Sequence, residues 1–409
     1  MLKIYLCGPT VYSTPHIGNL RPITTFDLVL KAHKFLGREY SLIHNITDID
    51  DKIIDKAIQT NTTEKDVSEK YTKEYFDLLK SLNIDTITHI EKVTDNIDLI
   101  IDYIDNIVKS GSAYIDDSGN VWFDIQKNIE NYGVVSKQNI DKMIFEDDFS
   151  SKKFKADFAL WKKTTKGIKF PSKFGDGRPG WHTECCALIA KHFGSYGVDI
   201  HGGGMDLVFP HHENENIQHY SLFKSNLSKE WLRSGQINLE GIKMSKSLGN
   251  VVLPSEFFAA YGVEVYKLML LTAKFTAPIN ITQELLSNLQ TIETKYKKAI
   301  FKIYSKLGTD LKIQRSPKVN EIFEALANYD FAKYNLLLNE ELKLFNKTES
   351  IENALNIHTI INIIHPTLTD VTKYQEILEI YKKWRVFVDK KDFENADKLR
   401  EKLMESGLY

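Results

Sequence analysis

Strand and helix patterns alternate over the first 46 residues in the order expected of a parallel α/β domain. Residues 3–8 form an apolar run of strand length, and a turn-rich loop follows at residues 9–19. Apolar residues then recur at helical spacing at Phe26, Leu28, Val29, Ala32 and Phe35. Tyr40–Ile46 is a second apolar run of strand length. This order predicts a parallel sheet, whose ligands bind beyond the carboxyl ends of its strands, here at residues 7–19.

Later patterns extend this prediction along the chain. Thr94 is expected to cap an amphipathic helix that Gly111 ends. The apolar face of this helix consists of Ile97, Ile100, Ile101, Ile104 and Ile107. Residues 113–117 and 121–125 are expected to form a hairpin, and the sheet is expected to resume near residues 199–201. Beyond Thr282 the pattern is almost wholly helical.

Residues 90–178 fit poorly into a simple series of alternating strands and helices, so we interpret them as an inserted subdomain. Within them, residues 136–178 hold eleven basic and six acidic side chains. This excess of lysine suits RNA phosphates. A solvated lysine-rich surface is an equally good interpretation from charge alone.

Composition limits the class of protein more than its function. A chain of 409 residues with 42% hydrophobic and 26% charged residues is typical of a globular protein of two to four domains. No apolar run approaches the roughly 20 residues that span a bilayer. The net charge of −2 neither requires nor excludes a nucleic-acid partner. Three cysteines, of which Cys185 and Cys186 are adjacent, cannot form an ordinary disulfide framework, which favours a reducing cytoplasm.

The first loop contains residues suited to a nucleotide. Gly18 lets the backbone approach a ligand closely, and a helix that begins here directs N–H groups at phosphate oxygens. His16 could donate to a triphosphate as charge develops on it. A lone histidine is more often a structural residue, and that alternative stays open on the motif alone.

A second candidate loop is Lys243-Met244-Ser245-Lys246-Ser247, followed by Leu248-Gly249-Asn250. Two ammonium groups and two hydroxyls beside a glycine form a mobile clamp suited to a leaving pyrophosphate. The alternative interpretation is a polar surface turn that contains lysines by chance.

A third candidate is a metal site built from distant segments. A helix that begins near Pro210 would place His211 and Glu215, four residues apart, on one face. Cys7 and Cys185 are candidate thiolates. Two thiolates, an imidazole and a carboxylate suit Zn²⁺. Because free cysteines are often simply buried, the spacing alone favours two structural cysteines over a metal site.

Six segments carry a family resemblance, in family order and spacing. They are YLCGPTVY at residues 5–12, NITDIDDKI at 45–53, RPGWHTEC at 178–185, DIHGGGMD at 199–206, FPHHENE at 209–215 and KMSKSLGN at 243–250. Together they resemble the cysteinyl-tRNA synthetases, which are class I aminoacyl-tRNA synthetases. The resemblance covers residues 2–277 closely and continues more loosely to residues 392–400, which are similar to the family's carboxyl-terminal helix.

The resemblance implies an α/β fold: a Rossmann-like catalytic domain with an inserted subdomain, followed by an all-α bundle. It implies a ligase that uses ATP and Mg²⁺ to join L-cysteine to tRNA(Cys), with one Zn²⁺ per chain. The implied zinc ligands are Cys7, Cys185, His211 and Glu215. The implied ATP contacts are Pro9, His16, Gly18, Asn19, His201 and Lys246. The implied substrate contacts are Gly8, Thr10, Trp181 and Asp206, and the implied catalytic residues are His16, Asn19, Lys243 and Lys246.

The implied domains are the two halves of the catalytic domain at 1–89 and 179–230, the insertion at 90–178, a lysine-loop domain at 231–281, a helical bundle at 282–370 and shortened anticodon-binding helices at 371–409. The first family signature usually ends in histidine, whereas Asn19 keeps a donor but cannot carry a positive charge. A monomer without membrane contact is expected.

Two other functions remain open. A related ligase forms the same adenylate but transfers cysteine to an amino-sugar, and a silent paralogue binds tRNA without chemistry. The carboxyl-terminal helix and the segment at residues 45–53 favour the tRNA ligase over the first. The complete metal set and the intact lysine loop argue against the second.

Overall fold

The computed structural model describes residues 1–145, 151–244 and 249–409. These group into two compact units: unit 1 holds residues 1–23 and 39–236, and unit 2 holds residues 24–38 and 237–409. One helix, Ile17–Phe35, therefore has its first residues in unit 1 and the remainder in unit 2. The division into six domains that the family resemblance implies stays a prediction.

Unit 1, together with the shared helix, contains the first nine strands and six helices described. In chain order they are β1 (Leu2–Leu6), α1 (Ile17–Phe35), β2 (Tyr40–Ile46), α2 (Asp51–Thr60), α3 (Glu64–Ser81), β3 (His89–Lys92), α4 (Ile97–Lys109), β4 (Ala113–Ile115), β5 (Val121–Phe123), β6 (Phe158–Lys163), β7 (Gly177–Pro179), α5 (Trp181–Phe193), β8 (Val198–Gly204), α6 (Glu213–Phe223) and β9 (Ser228–Ser234).

The central sheet of unit 1 is parallel throughout, in the order β3-β2-β1-β8-β9. Both the predicted fold class and the bounds of β2 are confirmed. Strand β1 lies in the middle of the sheet, and its Ile4, Tyr5 and Leu6 are buried. Continuous burial of this kind is typical of parallel strands covered on both faces. The carboxyl ends of β1, β2 and β8 therefore meet at one edge of the sheet.

A second sheet of unit 1 is antiparallel, in the order β4-β5-β6-β7. The predicted hairpin at β4 and β5 is confirmed, although each strand is two residues shorter than expected. Strand β7 leads through Gly180 into α5. This sheet thus delivers the chain to the helix that carries Cys185.

Unit 2 contains the remaining strands and helices described. They are β10 (Ile237–Leu239), β11 (Ile242–Lys243), α7 (Pro254–Tyr261), α8 (Val263–Leu270), β12 (Ile279–Ile281), α9 (Gln283–Leu307), α10 (Pro317–Ala327), α11 (Phe331–Thr348), α12 (Ile351–Ile364), α13 (Gln375–Asp389) and α14 (Phe393–Glu405).

The helical character predicted beyond Thr282 is confirmed. The side-chain oxygen of Thr282 accepts a hydrogen bond from the Leu285 backbone N–H, which caps α9. A three-stranded sheet of order β11-β10-β12 precedes these helices. Among the described residues, no helix has the length and apolar character needed to cross a bilayer.

Thr94 was wrongly expected to cap α4. Residues Thr94–Asn96 form a short 3₁₀ turn before the helix, whose first flanking residue, Asn96, makes no capping hydrogen bond through its side chain. The hydroxyl of Thr94 instead donates to Asp48 at 2.5 Å, and its backbone N–H donates to the same carboxylate at 2.9 Å. A carboxylate remote in sequence thus takes the hydroxyl that local pattern assigned to the helix.

Two expected boundaries near the candidate site are also wrong. Helix α1 begins at Ile17, so Gly18 and Asn19 lie in its first turn and not in the preceding loop. Helix α6 begins at Glu213, because Val208–His212 form a separate, wider π-helical turn. His211 therefore lies just before the α-helix that carries Glu215.

Candidate functional site

The four side chains expected to bind a metal meet at the edge of the parallel sheet. Cys7 directly follows β1, Cys185 lies on α5, His211 lies in the turn just before α6, and Glu215 lies in the first turn of α6. One donor atom from each lies within 4.8 Å of the donor atoms of the other three. Cys185, His211 and Glu215 are buried. Segments some 200 residues apart in the chain are thereby brought to one point.

The distances within this set fit a tetrahedral zinc site. The Nε2 atom of His211 lies 3.6 Å from the Cys7 sulfur and 3.7 Å from the Cys185 sulfur. Zinc bonds of about 2.3 Å to sulfur and about 2.0 Å to nitrogen at tetrahedral angles place those two atoms about 3.5 Å apart. Glu215 Oε1 lies 3.0 Å from His211 Nε2 and 4.0 Å from the Cys7 sulfur. Donor type and spacing therefore both fit Zn²⁺.

The two buried sulfurs favour the neutral thiol form. Burial raises the pKa of the Cys7 thiol to about 11 and that of Cys185 well above its ordinary value. Burial would also raise the pKa of Glu215, but the charges of His211 and His201 hold it well below its usual range. A divalent cation beside the two sulfurs would favour their thiolate forms.

Neighbouring rings fix the orientation of His211. Its Nδ1 lies 3.1 Å from Nδ1 of His182, so Nε2 is left to face the sulfurs. The ring of Trp181 stacks on His211 with centroids 4.2 Å apart and planes at 22°. Trp181 was expected at the substrate, whereas His182 was not singled out by sequence. The only signal for His182 was its place beside Trp181 in the motif.

His201 lies behind the metal set. It is fully buried, its Nε2 lies 2.9 Å from Oε2 of Glu215, and its ring stacks on Trp231 at 4.6 Å. Glu215 thus presents one oxygen to His211 and the other to His201. The expected contact of His201 with ATP stays a prediction.

The first loop is held against the end of β2. The backbone N–H of Gly8 donates to the Asn45 side chain at 2.8 Å, and a Cβ atom on Gly8 would lie 1.5 Å from the Asn45 carbonyl oxygen. Thr10 forms an isolated parallel bridge with Thr47, whose N–H donates to the Pro9 carbonyl at 3.1 Å. Only glycine fits at position 8. The contacts of Gly8 with Asn45 and of Thr10 with Thr47 hold the loop against the end of β2 on either side of Pro9.

His16 and Asn19 cap the start of α1 reciprocally. Asn19 Oδ1 accepts from the His16 backbone N–H at 3.0 Å, and His16 Nδ1 accepts from the Gly18 N–H at 3.0 Å. This arrangement resembles a capping box, with an imidazole nitrogen in place of a hydroxyl oxygen. Asn19 thus has a local structural role that its sequence position did not reveal. Its expected catalytic role stays a prediction.

The remaining expected residues lie on other elements. Asp206 is exposed in a 3₁₀ turn directly after β8. Lys243 is exposed on β11 in unit 2, where its carbonyl oxygen accepts from the Asn250 side chain at 3.1 Å. Lys246 lies outside the described residues.

The chain is similar to known proteins over its whole length. A family model described as the tRNA synthetases class I (C) catalytic domain matches residues 1–291. A protein of Mesomycoplasma hyopneumoniae (strain J) named cysteine–tRNA ligase is 43% identical over 402 residues, covering 98% of this chain and 96% of the relative. A cysteine–tRNA ligase of Malacoplasma penetrans is 39% identical over 429 residues, covering 100% and 95%.

Solved structures share the fold at low identity. A Mycobacterium tuberculosis methionyl-tRNA synthetase in complex with methionyl-adenylate has a TM-score of 0.62 at 13% identity, covering 89% of each chain. A ternary LeuRS–tRNA–LeuAMS complex from Agrobacterium radiobacter has a TM-score of 0.64 at 10% identity, covering 90% of this chain and 84% of that one.

Proposed function

The chain belongs to the cysteine–tRNA ligases of the class I tRNA synthetases, and from this we propose that it activates L-cysteine with ATP and transfers it to the 3′-terminal adenosine of tRNA(Cys). The observation that carries the proposal is the convergence of two thiols, an imidazole and a carboxylate at the carboxyl end of β1. We propose that Cys7, Cys185, His211 and Glu215 hold one Zn²⁺ per chain.

Zinc bound here supplies a preference for a soft thiolate over the alcohol of serine. An ordinary pocket separates such near-isosteres by only about 10²-fold, so the amino acid requires a chemical distinction. The chain's own residues hold the donor set in place. His182 and Trp181 orient His211, and His201 orients Glu215.

The reaction runs in two steps. The carboxylate of cysteine attacks the α-phosphate of ATP, which forms cysteinyl-adenylate and releases pyrophosphate. The 2′-hydroxyl of the terminal adenosine then attacks the acyl carbon, and AMP leaves. Positioning and charge stabilisation lower both barriers, so no protein nucleophile is required.

His16, Lys243 and Lys246 are the charge stabilisers that we assign to the first step, with Mg²⁺ accompanying ATP. Because Nδ1 of His16 accepts from Gly18, a neutral ring carries its proton on Nε2, the atom that we propose donates to a phosphate oxygen. The first turn of α1 provides a positive helix end near the same loop. We further propose contacts of Pro9, Gly18, Asn19 and His201 with ATP, and of Gly8, Thr10, Trp181 and Asp206 with cysteine and its adenylate.

The proposed metal site also favours a cytoplasmic location. Cys7 and Cys185 serve as ligands only while reduced, and all three cysteines are free. The proposed partners are tRNA(Cys), L-cysteine and ATP, with the protein acting as a monomer.

Purified protein tests the proposal in one experiment with three readouts. Cysteine-dependent ATP–pyrophosphate exchange reports adenylate formation, charging of tRNA(Cys) reports transfer, and metal analysis of the same sample reports zinc. We expect exchange and charging with cysteine but not serine, at about one zinc per chain. Native protein that is metal-free yet charges tRNA selectively with cysteine would overturn the zinc assignment. Transfer to glucosaminyl-inositol in place of tRNA would instead establish the amino-sugar ligase.

A further inference from the structure

Two overlapping sets of donors could hold the metal ion. Besides the set described above, Cys7, His201, His212 and Glu215 also place one donor atom each within 4.8 Å of one another. The two sets share Cys7 and Glu215 and differ in the other two ligands. Burial does not separate them, because His201 and His212 are both fully buried.

A guanidinium group distinguishes His212 from the histidine next to it. The Nε atom of Arg233, on β9, lies 3.0 Å from Nδ1 of His212 and is hydrogen-bonded to it. Arginine stays protonated and has only donors, so Nδ1 of His212 must supply the lone pair. A neutral imidazole that accepts at Nδ1 carries its proton on Nε2. Nε2 of His212 therefore has no lone pair with which to bind a metal.

That N–H group faces a metal ligand instead. Nε2 of His212 lies 3.7 Å from the sulfur of Cys7, within reach of an N–H···S hydrogen bond. The ring packs beside Trp231, with ring centroids 4.9 Å apart, and close to Gly203, where a Cβ atom would lie 3.2 Å from Nε2. The Arg233 guanidinium also lies over the Trp231 ring, with its central carbon 5.3 Å from the centroid.

His211 has the opposite arrangement. Its Nδ1 faces Nδ1 of His182. Unlike a guanidinium group, a neutral imidazole can accept a hydrogen bond as well as donate one. His211 can therefore hold its proton on Nδ1 and present the lone pair of Nε2 to a metal. Two adjacent histidines thus receive different roles from the partner that each meets behind its ring.

We propose that Arg233 is a positioning residue that fixes His212 as an N–H donor to the Cys7 sulfur and so keeps His212 out of the metal's ligand set. The ion is then held by two thiolates and His211 rather than by one thiolate and two other histidines. This inference rests on the proposed zinc site but not on the proposed tRNA acceptor.

Cobalt substitution measures the difference directly. The full chain is reconstituted with Co²⁺, and the near-ultraviolet sulfur-to-cobalt charge-transfer band reports the number of thiolate ligands, while competition with a chelator gives the zinc dissociation constant. The wild type is expected to show two thiolates. Cys185→Ala, loaded with enough excess Co²⁺ to offset its weaker binding, is the calibration for one thiolate, and Cys186→Ala, whose buried sulfur belongs to neither set, is the matched control.

Three variants test the role of the guanidinium. Arg233→Met keeps a side-chain stem without an N–H, and we expect zinc affinity to fall about 10- to 100-fold with loss of charge-transfer intensity toward the one-thiolate value. Arg233→Gln keeps an N–H donor at the same position along the side chain and should retain the wild-type band. His212→Asn should also retain the two-thiolate band, and it tests the inference even if Arg233→Met does not fold.

A wild type with one thiolate would overturn the inference, as would an Arg233→Met protein with unchanged spectrum and zinc affinity or a His212→Asn protein that loses the two-thiolate band. Cysteine-dependent pyrophosphate exchange by the wild type is measured on the same preparation. Exchange that persists while the spectra contradict the two-thiolate site refutes this inference alone. Absence of both metal and exchange refutes the proposed function.

Discussion

Glu215 is a buried carboxylate whose two oxygens have different partners. Oε1 lies beside His211 and the Cys7 sulfur, whereas Oε2 lies beside His201. A charge with no exposed surface requires compensation on every side, because an uncompensated buried charge costs several kcal/mol. Removal of any one donor therefore leaves the Glu215 charge less compensated, so single substitutions report on how the site is held together.

Loss of one donor should remove zinc and the selection against serine together. For Cys185→Ser and His211→Ala we expect zinc content well below one per chain, because each variant leaves three donors. Discrimination between cysteine and serine should fall to about 10²-fold or less, as in an ordinary pocket. Metal analysis and pyrophosphate exchange with both amino acids provide the test, with Cys186→Ser as the control. Full selectivity in a demonstrably zinc-free variant would contradict it.

Lys246 is expected to act on the rate of adenylation and not on amino-acid binding. If its ammonium group stabilises charge that develops on the triphosphate, Lys246→Ala should lower the pyrophosphate exchange rate by about 10²- to 10³-fold with little change in the KM for cysteine. Lys312→Ala removes an exposed lysine elsewhere and serves as the control. An unchanged exchange rate in the Lys246 variant would refute the assignment.

At the scale of elements, the start of α6 anchors a loop of the antiparallel region. The buried carboxylate of Glu213 accepts three backbone N–H groups, from Gly133 at 2.9 Å, Val135 at 3.0 Å and Ser136 at 2.6 Å. The neighbouring Asn214 accepts from the hydroxyl of Tyr132 at 2.6 Å. These bonds lie between the two metal-binding positions of the same segment, so the loop and the metal set are mechanically linked.

Glu213→Gln should therefore weaken both stability and metal binding. An amide offers one acceptor oxygen where the carboxylate offers two, so at least one buried N–H loses its partner at a cost of about 1–3 kcal/mol. We expect a lower denaturation midpoint and a higher zinc dissociation constant, measured by denaturant titration and chelator competition. Glu130→Gln, at an exposed position in the preceding turn, is the control. Equal zinc affinity in both variants would show that the loop does not support the site.

A buried ionic group connects α8 with the segment after α12 in unit 2. Glu264 lies 2.7 Å from His365 Nδ1, accepts from the Thr367 hydroxyl at 2.7 Å, and lies 3.4 Å from Lys267. Burial alone would raise the pKa of Glu264, but His365 and Lys267 lower it to about 2. A depressed pKa contributes stability above the unfolded value of about 4, and that contribution is lost as pH falls toward about 2.

Replacement of Glu264 by Gln should deprive buried Lys267 of its ion-pair partner, since Asp27, the other carboxylate that acts on it, is already paired with Lys31. We expect a loss of about 3–5 kcal/mol in the free energy of unfolding at neutral pH, and a stability that varies less between pH 5 and pH 2 than that of the wild type. Denaturant titrations across this pH range measure both effects. The double variant Glu264→Gln/Lys267→Met removes the orphaned charge and should recover part of the loss. If the double variant is no more stable than the single one, the ionic account is wrong.

In the molecule as a whole, α1 belongs to both units, so no single cut in the sequence separates them. Its later residues pack within unit 2, where Phe35 meets Phe323 with ring centroids 4.4 Å apart and Phe26 meets Phe275 at 5.7 Å. Arg38, just beyond the helix, pairs with Glu324 at 2.5 Å. The unit that holds the metal set is thus contiguous in space but not in sequence.

A chain cut after Gln236 should therefore fail to give a soluble monomer. It would retain residues 24–38 but lose the partners of Phe26 and Phe35, which leaves large apolar side chains exposed. Size-exclusion chromatography of this fragment beside the full chain measures the outcome, and we expect aggregation or very low soluble yield. A monomeric fragment with native zinc content would contradict this account.

The order of elements and the types of donor present can be predicted from the amino-acid sequence alone. Alternation of apolar runs with helical periodicity predicted the parallel sheet, and β2 matches its predicted bounds residue for residue, because both signals are local. The resemblance predicted which cysteines, histidine and carboxylate to consider. Local pattern failed at Thr94, whose hydroxyl bonds to Asp48 instead of capping α4.

What these side chains can do depends on the neighbours that the fold gives them. Sequence presents His211 and His212 as adjacent and equivalent residues, yet one meets His182 and the other meets Arg233. Likewise, burial against Glu215 and Trp231 distinguishes His201 from an exposed histidine. The physical reason is the same in each case: the proton position and charge of a side chain depend on the group it faces in space, and that group is remote in the chain.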